Sequence, residues 1–565
     1  MTSETTTTGA ALVADSLRAI GVDTIFEVPG DPIGAILTEA ARAEIHPYTF
    51  RHEQAAALAA QAWSYATGKL GVAVVPSGPG MTNAITGLYT AWANTWPLLL
   101  IGGNGAQARA GLGDFQETPQ VAAATPFCKL SVAVPSAARI PYYIGAAQRA
   151  ALGGRPGPAY LDLPADVITS EVPLNATEPL PAPAPTPAPT AAAADIERAI
   201  DLLISAQRPL LLVGKGAAWA GADSELRSLV DRLQLPFLPS PMGKGTIPDD
   251  HPLSAAGARS DALQSADCIL LVGARLNWIF HFGAPPRFDP EVKVIQVDIE
   301  ASEIGNAVPA TVGLVGDAKA VTRQLLDAAP ETPLTIDAWR RTLSAASESN
   351  AAQIASLIDA DDGPMNFYRM YRDIADVLDD DATVVADGES TQAVSRVMLP
   401  NRLPRHRLDA GTGGCMGVAV PYAIGAQVAR PEKQVICLNG DFAFGWNGME
   451  VETAARYQLP IVFIVANNRS IAMRGSYGRY GYGEVPESDD PLRYDQMMDA
   501  LGGRGEFVAD PTQLRPALER AFAERKPALL NVLIDKNPQR KPQEFSWLDR
   551  LGRMRYDNSD EEQKK

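Results

Sequence analysis

The sequence has few cysteines and no excess of basic residues, and these shortages exclude several classes of protein. Four cysteines occur in 565 residues at wide spacing, so neither a disulfide framework nor a thiolate metal site is predicted. The formal net charge of −17 argues against a surface built for nucleic acid or anionic membranes, because such partners select clustered lysine and arginine. Any anionic ligand must therefore meet local basic residues.

Long apolar runs are also missing. No apolar stretch approaches the ~20 residues that a membrane helix needs, and the Thr-rich residues 1–9 lack the charged and apolar regions of a signal peptide. The last five residues, Glu-Glu-Gln-Lys-Lys, do not form a peroxisomal address. We therefore expect a soluble cytoplasmic protein without a membrane or nucleic-acid partner.

The hydrophobic content of 46% provides enough apolar material for about three or four domains of ~150 residues. A Pro/Ala-rich segment, residues 175–195, predicts an extended linker, because closely spaced prolines block both helix and sheet. On both sides of it, and again after a charged helical segment at 338–360, short β-rich runs alternate with amphipathic helices. This alternation predicts α/β architecture with three doubly wound parallel sheets.

The predicted domains are residues 1–174, 196–345 and 364–536, joined by the linker 175–195 and followed by a tail, 537–565. The strands on which this division rests are predicted at 24–28, 72–75, 97–101, 159–163, 209–213, 268–272, 292–297, 383–386, 434–438, 461–465 and 528–534.

The most informative segment is a strand that runs into Gly440 and Asp441, followed by a helix, a second strand and Asn468. A helix start offers bare backbone N–H groups to a phosphate, while Asp441 presents a carboxylate at the strand end. Mg²⁺ prefers oxygen ligands, and the next strand end supplies the Asn468 amide oxygen and the Ser470 carbonyl. The two strand ends therefore predict a site for a diphosphate with Mg²⁺.

This arrangement resembles the Gly-Asp-Gly to Asn-Asn signature of the thiamine diphosphate enzymes, with the 25 residues 442–466 between Asp441 and Asn467. The sequence departs from the signature at Phe442, where the family has glycine. The resemblance implies thiamine diphosphate and Mg²⁺ as cofactors. It also implies the pyruvate decarboxylase-like arrangement of three domains and cofactor contacts from Gly440, Phe442, Ala443 and Ile471.

A second part of the family pattern concerns Glu53, which follows an extended run at 45–50 and opens an Ala-rich helix. A polar group here meets an apolar surrounding. In the family a glutamate at this motif activates the aminopyrimidine ring of the cofactor. The competing interpretation is a helix-start glutamate favoured by the helix dipole.

Further segments resemble family loops in the expected order. They contribute Gly30, then Ser77 and Asn83, then Gly388, and finally Thr412, Gly414 and Met416. Met416 matches the bulky apolar side chain that bends the two cofactor rings into a V, although core packing is an alternative. In the family the ring-binding and diphosphate-binding segments come from different subunits, so at least a homodimer, assembled into a homotetramer, is implied.

The resemblance spans nearly the whole chain and is nearest to the branch that contains oxalyl-CoA decarboxylase and 2-hydroxyacyl-CoA lyase. The segments that carry this assignment are 273–283, 448–453 and 539–547.

The last of these segments begins a basic, aromatic tail. The resemblance and its composition favour a lid that closes over a CoA thioester, with Arg540 and Lys541 near its phosphates. A disordered charged tail is the alternative. Positions that resemble CoA contacts of the branch are Arg259, Arg402, Arg405 and Arg407, although exposed arginines are commonly only solvated.

The substrate is indicated by Phe115 and Gln116, where the decarboxylase carries Tyr-Glu. An amide bonds a 2-hydroxyl without charge, and loss of the tyrosine hydroxyl leaves room for a larger substituent. Tyr477 resembles an active-site tyrosine of the branch. The resemblance thus implies a carbon-carbon lyase that cleaves the C1–C2 bond of a 2-hydroxyacyl-CoA to formyl-CoA and an aldehyde or ketone. Oxalyl-CoA decarboxylase, an acetolactate synthase-like enzyme and a non-catalytic member of the fold remain alternatives.

The middle domain contains a glycine-rich turn around Lys215, a weak signal for a nucleotide phosphate. In the decarboxylase the corresponding domain binds ADP, which implies nucleotide contacts from Arg155, Lys215, Arg275 and Asp298. Acetolactate synthase uses a similar place for FAD.

Overall fold

The computed structural model describes residues 6–177, 180, 187–469 and 490–536. Its described residues divide into two compact units. The first draws on the segments 1–187, 377–392 and 408–536, and the second on 188–376 and 393–407.

Among the described residues, three large sheets and one two-stranded antiparallel sheet form the framework of these units. Their strands are, in chain order, β1 (Thr6–Thr8), β2 (Thr24–Glu27), β3 (His46–Thr49), β4 (Gly71–Val75), β5 (Leu98–Asn104), β6 (Leu130–Ala133), β7 (Pro158–Pro164), β8 (Glu171–Pro173), β9 (Pro209–Val213), β10 (Phe237–Pro239), β11 (Cys268–Val272), β12 (Lys293–Asp298), β13 (Val312–Val315), β14 (Thr383–Asp387), β15 (Arg407–Asp409), β16 (Val435–Gly440), β17 (Ile461–Asn467), β18 (Arg504–Val508) and β19 (Ala528–Leu533).

Helices flank the sheets. They are, in chain order, α1 (Gly9–Ala19), α2 (Gly34–Arg42), α3 (Glu53–Thr67), α4 (Pro79–Asn94), α5 (Gln120–Ala124), α6 (Ile140–Leu152), α7 (Ala165–Thr169), α8 (Ala193–Ser205), α9 (Lys215–Ala220), α10 (Asp223–Leu233), α11 (Arg259–Ser265), α12 (Ala318–Ala328), α13 (Asp337–Ile358), α14 (Phe367–Val377), α15 (Glu389–Met398), α16 (Ala419–Ala429), α17 (Asp441–Asn447), α18 (Val451–Arg456), α19 (Tyr494–Ala500) and α20 (Pro511–Glu524).

The first unit holds two six-stranded sheets. One is entirely parallel, in the order β3-β2-β4-β5-β7-β6. The other has the order β15-β14-β16-β17-β19-β18, and the strands from β14 onward in that order are parallel. The central strands β4 and β16 are continuous apolar runs, as expected of strands covered by helices on both faces.

Helices α3 and α16 connect the layers of this unit. Small residues allow them to touch closely, since a Cβ built on Gly425 of α16 would lie 2.2 Å from the Ala59 carbonyl oxygen of α3. The Ala-rich sequence of α3 is buried over Ala55–Ala66. The close packing fixes the axis of α3 and hence the position of its first residue, Glu53.

The second unit contains a five-stranded parallel sheet in the order β10-β9-β11-β12-β13. The predicted α/β class and its three doubly wound sheets are confirmed. Helix α8 begins at Ala193, inside the predicted linker, and the tail 537–565 lies outside the described residues. Within the described part of the chain, every helix is too short or too polar to cross a membrane.

Candidate active site

Glu53 is the first residue of α3. His52 caps the helix, since its Nδ1 accepts a hydrogen bond from the Gln54 amide at 3.2 Å. The Glu53 Oε2 atom accepts a hydrogen bond from Asn83 Nδ2 at 2.9 Å. In the described part of the chain, Oε1 accepts no hydrogen bond. The geometry anchors one carboxylate oxygen and leaves the other for a ligand.

Helix α4, which carries Asn83, begins at a turn formed by Ser77 and Gly78. Gly78 adopts φ +57° and ψ −108°, and a Cβ there would lie 2.6 Å from the Gln116 carbonyl oxygen. The Ser77 hydroxyl donates to Gln116 Oε1 at 2.8 Å. The structure therefore brings Ser77, Asn83, Glu53 and Gln116 together.

Gln120 holds the same turn in place, although the sequence analysis assigned this residue no role. Its Oε1 accepts from the Gly78 amide at 2.6 Å, and its Nε2 donates to Asp162 Oδ1 at 2.6 Å. Burial raises the pKa of Asp162, although hydrogen bonds from Asn104, Tyr160 and Gln120 oppose the rise. A glutamine at the start of a short helix gives no local signal of this role, because its partners are distant in sequence.

The loop that presents Phe115 and Gln116 is held by its own acidic residues. The Glu117 carboxylate accepts hydrogen bonds from the backbone amides of Gly111, Gly113 and Asp114, which lower its pKa. Phe115 is 64% exposed. Gln116 has φ +56°, so its backbone conformation, like its side chain, is fixed by the surrounding turn.

The predicted diphosphate segment has the expected local structure. Strand β16 ends at Gly440 and α17 begins at Asp441. Asp441 Oδ1 accepts from the Phe442 amide at 2.8 Å, and Oδ2 accepts from the Arg469 amide at 2.9 Å. Because β16 and β17 are parallel neighbours, the Arg469 amide and the adjacent Asn468 lie beside Asp441.

The oxygens of Asp441 and Asn468 are hard donors of the type that suits Mg²⁺. Ala443 lies in the first turn of α17, where backbone N–H groups suit a phosphate. Ser470, Ile471 and Tyr477 lie outside the described residues. The donor set that is described fits the proposed metal and diphosphate.

Gly388 lies at the end of the neighbouring strand β14. It has φ +90°, and a Cβ there would lie 3.3 Å from the Gly440 nitrogen, so glycine permits the two strand ends to meet closely. The preceding Asp387 was not predicted as a site residue. Its carboxylate accepts from the Gly388 amide at 2.7 Å and the Val418 amide at 2.8 Å. Burial nevertheless raises its pKa to about 6.

The loop that carries Met416 is held at both of its ends. The Thr412 amide donates to Asn94 Oδ1 at 3.2 Å, and the Tyr89 hydroxyl donates to the Gly413 oxygen at 3.2 Å. Beyond Met416, Asn447 Nδ2 donates to the Gly417 oxygen at 2.7 Å. Gly414 between them has φ +60°. Met416 itself is partly buried, and Gly30 packs against Pro76 near the Ser77 turn.

The second unit contains the arginines predicted to contact CoA. Arg259 lies over the Phe280 ring at 5.0 Å, and burial, followed by repulsion from Arg287 and Arg396, lowers its pKa to about 9. Arg402 Nε donates a hydrogen bond to Asp250 Oδ2 at 2.8 Å, and Nη2 of the buried Arg407 donates one to Ser395 Oγ at 2.6 Å. Arg405 has φ +63°. The CoA roles stay predictions, and Arg540 and Lys541 are outside the described residues.

Three predicted nucleotide contacts lie at the carboxyl end of the second unit's sheet. Lys215 begins α9 after β9, Arg275 follows β11, and Asp298 ends β12, which are three adjacent strands. A cavity of about 270 Å³ borders Arg275 and is also lined by Gln296 and Glu303. Arg155 belongs to the first unit.

Comparisons with known proteins identify the family. Three family models match the chain: the N-terminal, central and C-terminal domains of thiamine pyrophosphate enzymes, at residues 7–124, 196–325 and 387–532. Thiamine pyrophosphate is the same coenzyme as thiamine diphosphate.

Three curated relatives are similar over almost their full length. Human 2-hydroxyacyl-CoA lyase 1 is 41% identical, over 97% of this chain and 98% of the relative. The 2-hydroxyacyl-CoA lyase of Arabidopsis thaliana is 40% identical, over 93% and 95%. Oxalyl-CoA decarboxylase of Escherichia coli K12 is 38% identical, over 94% and 95%. The chain therefore belongs to the thiamine pyrophosphate enzyme family.

Proposed function

We propose that this protein is a thiamine diphosphate-dependent 2-hydroxyacyl-CoA lyase. It cleaves the C1–C2 bond of a 2-hydroxyacyl-CoA to formyl-CoA and an aldehyde or ketone, and joins the same partners in reverse. The Glu53–Asn83 pair carries the proposal, because it leaves one carboxylate oxygen for a ligand. The relatives named 2-hydroxyacyl-CoA lyase support the substrate class.

In this proposal Asp441, Asn468 and Ser470 hold Mg²⁺, and the α17 start with Gly388 and Gly440 receives the diphosphate. Met416, Ser77 and Gly30 border the rings. When bound, the coenzyme supplies a carbon nucleophile and an electron sink for breaking a bond next to a carbonyl.

The chain contributes proton handling and positioning. Glu53 holds a proton at Oε1 between its carboxylate and the pyrimidine ring, while Asn83 keeps Oε2 in place. Gln116, fixed by Ser77, orients the 2-hydroxyl or thioester oxygen through its amide. A phenylalanine at position 115 lacks the tyrosine hydroxyl and leaves space for the substituent at C2.

The CoA part of the substrate carries anionic phosphates, and the second unit carries a group of arginines that could meet them. Burial, followed by repulsion from Arg287 and Arg396, lowers the pKa of Arg259, and nearby CoA phosphates would favour its charged form. We propose CoA contacts from Arg259, Arg402, Arg405 and Arg407, with Arg540 and Lys541 on a closing tail.

We also propose ADP in the middle domain, at Lys215, Arg275 and Asp298, while the contact predicted for Arg155, which belongs to the first unit, stays a prediction. Calorimetric titration with ADP tests this, and a visible flavin band in the purified protein would instead indicate FAD.

We propose a cytoplasmic location, to be checked by microscopy of a fluorescent fusion.

A homodimer, assembled further into a homotetramer, follows from the family's shared sites. An apolar patch formed by Phe442, Trp446 and Met449, exposed by 38%, 59% and 55%, supports this proposal, since contiguous exposed apolar surface marks interaction sites. The molar mass from light scattering should correspond to a dimer or tetramer, and Trp446→Lys should weaken this association. A fully active monomer would contradict the assembly.

The discriminating experiment supplies the protein, Mg²⁺ and thiamine diphosphate with a 2-hydroxyacyl-CoA or with oxalyl-CoA. Formyl-CoA should form faster from the 2-hydroxyacyl-CoA. Faster turnover of oxalyl-CoA would favour oxalyl-CoA decarboxylase, the second candidate, which the similarity to the bacterial decarboxylase supports. Activity with neither thioester would favour a non-catalytic member or an acetolactate synthase-like enzyme, which a test with pyruvate separates.

A further inference from the structure

Glu450 lies in a short 3-10 turn, Gly448–Glu450, directly after α17. It is 1% exposed. Its Oε1 accepts hydrogen bonds from the backbone amides of Arg51 at 3.1 Å and His52 at 3.0 Å. Its Oε2 accepts from the Thr453 hydroxyl at 2.6 Å. A carboxylate close to the diphosphate helix thus holds the two residues that precede Glu53.

Arg51 and His52 belong to neither β3 nor α3, which end at Thr49 and begin at Glu53. Their amides have no strand or helix partner, so this backbone needs another acceptor to be held in place. Glu450 supplies that acceptor. Glu450 therefore sets the direction in which the chain enters α3, and with it the orientation of the Glu53 side chain.

The neighbouring Glu452 has a different type of contact. Its Oε2 atom accepts hydrogen bonds from Arg51 Nε at 2.7 Å and from Arg456 Nη2 at 2.9 Å. Glu450 instead accepts from backbone amides, and burial raises its pKa. The two glutamates are two residues apart in the sequence. Glu450 holds the backbone of Arg51 and His52, whereas Glu452 forms partly exposed ion pairs with arginine side chains. They provide a matched comparison.

We infer that Glu450 is a positioning residue for Glu53. It fixes the Arg51–His52 backbone so that the Glu53 carboxylate meets the pyrimidine ring at the required angle. The inference rests on the proposed function, since it assigns Glu53 to that ring. Small errors in such geometry have large effects on rate.

The first test uses the protein without cofactor. Amide hydrogen–deuterium exchange, read by mass spectrometry on a peptide that spans residues 50–54, should be slow at Arg51 and His52 in the wild type. Glu450→Ala should accelerate it. Glu450→Gln should restore protection, because its amide oxygen accepts from both N–H groups and its NH₂ donates to Thr453. Glu452→Ala should leave these two amides protected. Rapid exchange of both amides in the folded wild type would overturn the inference without any variant.

The second test uses the protein loaded with Mg²⁺ and thiamine diphosphate and measures exchange of the coenzyme C2 proton by acid quench and NMR. Glu450→Ala should slow this exchange by about tenfold or more, with little change in coenzyme affinity. Glu450→Gln and Glu452→Ala should exchange near the wild-type rate. An unchanged rate in Glu450→Ala would overturn the inference. If the wild type does not accelerate exchange over free coenzyme, the proposed function fails, and the amide measurement still decides what Glu450 holds.

Discussion

Asn83, in the second turn of α4, donates a hydrogen bond to Glu53 at the start of α3, with 2.9 Å between Nδ2 and Oε2. The contact joins α3 to α4 through two residues that are 30 positions apart in the sequence. It fixes the carboxylate orientation while leaving Oε1 for a ligand.

Glu53→Gln should reduce turnover of a 2-hydroxyacyl-CoA by roughly 10²- to 10⁴-fold, because the amide cannot exchange a proton at that position. Asn83→Leu should reduce it less, since the carboxylate remains but is free to rotate. Steady-state rates with saturating coenzyme measure both. Undiminished activity in Glu53→Gln would remove the assignment of this residue.

Removal of the metal should abolish activity. EDTA treatment followed by dialysis should leave an inactive protein that recovers only when Mg²⁺ and thiamine diphosphate are both returned. In the wild type, the two together should raise the melting temperature, since ligand at ~100 Kd stabilises by about 2.7 kcal/mol. Asp441→Ala should lose this shift, because its carboxylate is the proposed metal ligand.

An exposed carboxylate serves as the control for that experiment. Asp362 lies on the surface of the second unit, and Asp362→Ala should keep the full melting shift. Activity that survives thorough depletion, or an Asp441→Ala protein with the wild-type shift, would argue against the site.

Gly78→Ala should destabilise the protein. The positive φ alone costs roughly 1–2 kcal/mol for an alanine, and its Cβ would collide with the Gln116 backbone. Gly34→Ala is the matched control, because Gly34 starts α2 with nothing within 4 Å of a built Cβ. It should be neutral or stabilising by up to about 1 kcal/mol. Chemical denaturation of both variants measures the difference, and equal stability would contradict the strained turn.

The sheets could be predicted from sequence because continuous apolar runs such as β4 and β16 need cover on both faces. Glu53 and Asp441 were likewise found because each lies in a short, ordered motif. Glu450, Gln120 and Asp387 were not assigned roles. Each of them accepts a hydrogen bond from a backbone amide that is distant in the chain, 399 residues away for Arg51, 42 for Gly78 and 31 for Val418. Such contacts leave no periodicity or spacing to detect.

The buried Asp387 should make the cofactor-free protein less stable as the pH rises. Burial raises its pKa to about 6 from an ordinary 3.8, so the folded state binds the proton more tightly than the unfolded state. The stability from this group is complete below the ordinary value and is lost as the pH rises through about 6. Denaturation from pH 4 to 7 should show this slope in the wild type and a shallower slope in Asp387→Asn. Parallel slopes would show that Asp387 is ionised throughout.

Substrate choice should depend on Phe115 and Gln116. The Gln116 amide donates as well as accepts, whereas a glutamate carboxylate only accepts, and a tyrosine at 115 adds a donor where a C2 substituent needs space. In Phe115→Tyr/Gln116→Glu, Ser77 still has an acceptor, so the turn persists. The ratio of kcat/KM for oxalyl-CoA over a 2-hydroxyacyl-CoA should rise by about 10-fold or more. Leu112→Tyr adds a tyrosine to an exposed position of the same loop and should leave the ratio unchanged. If the double variant keeps the wild-type ratio, the substrate is selected elsewhere in the site.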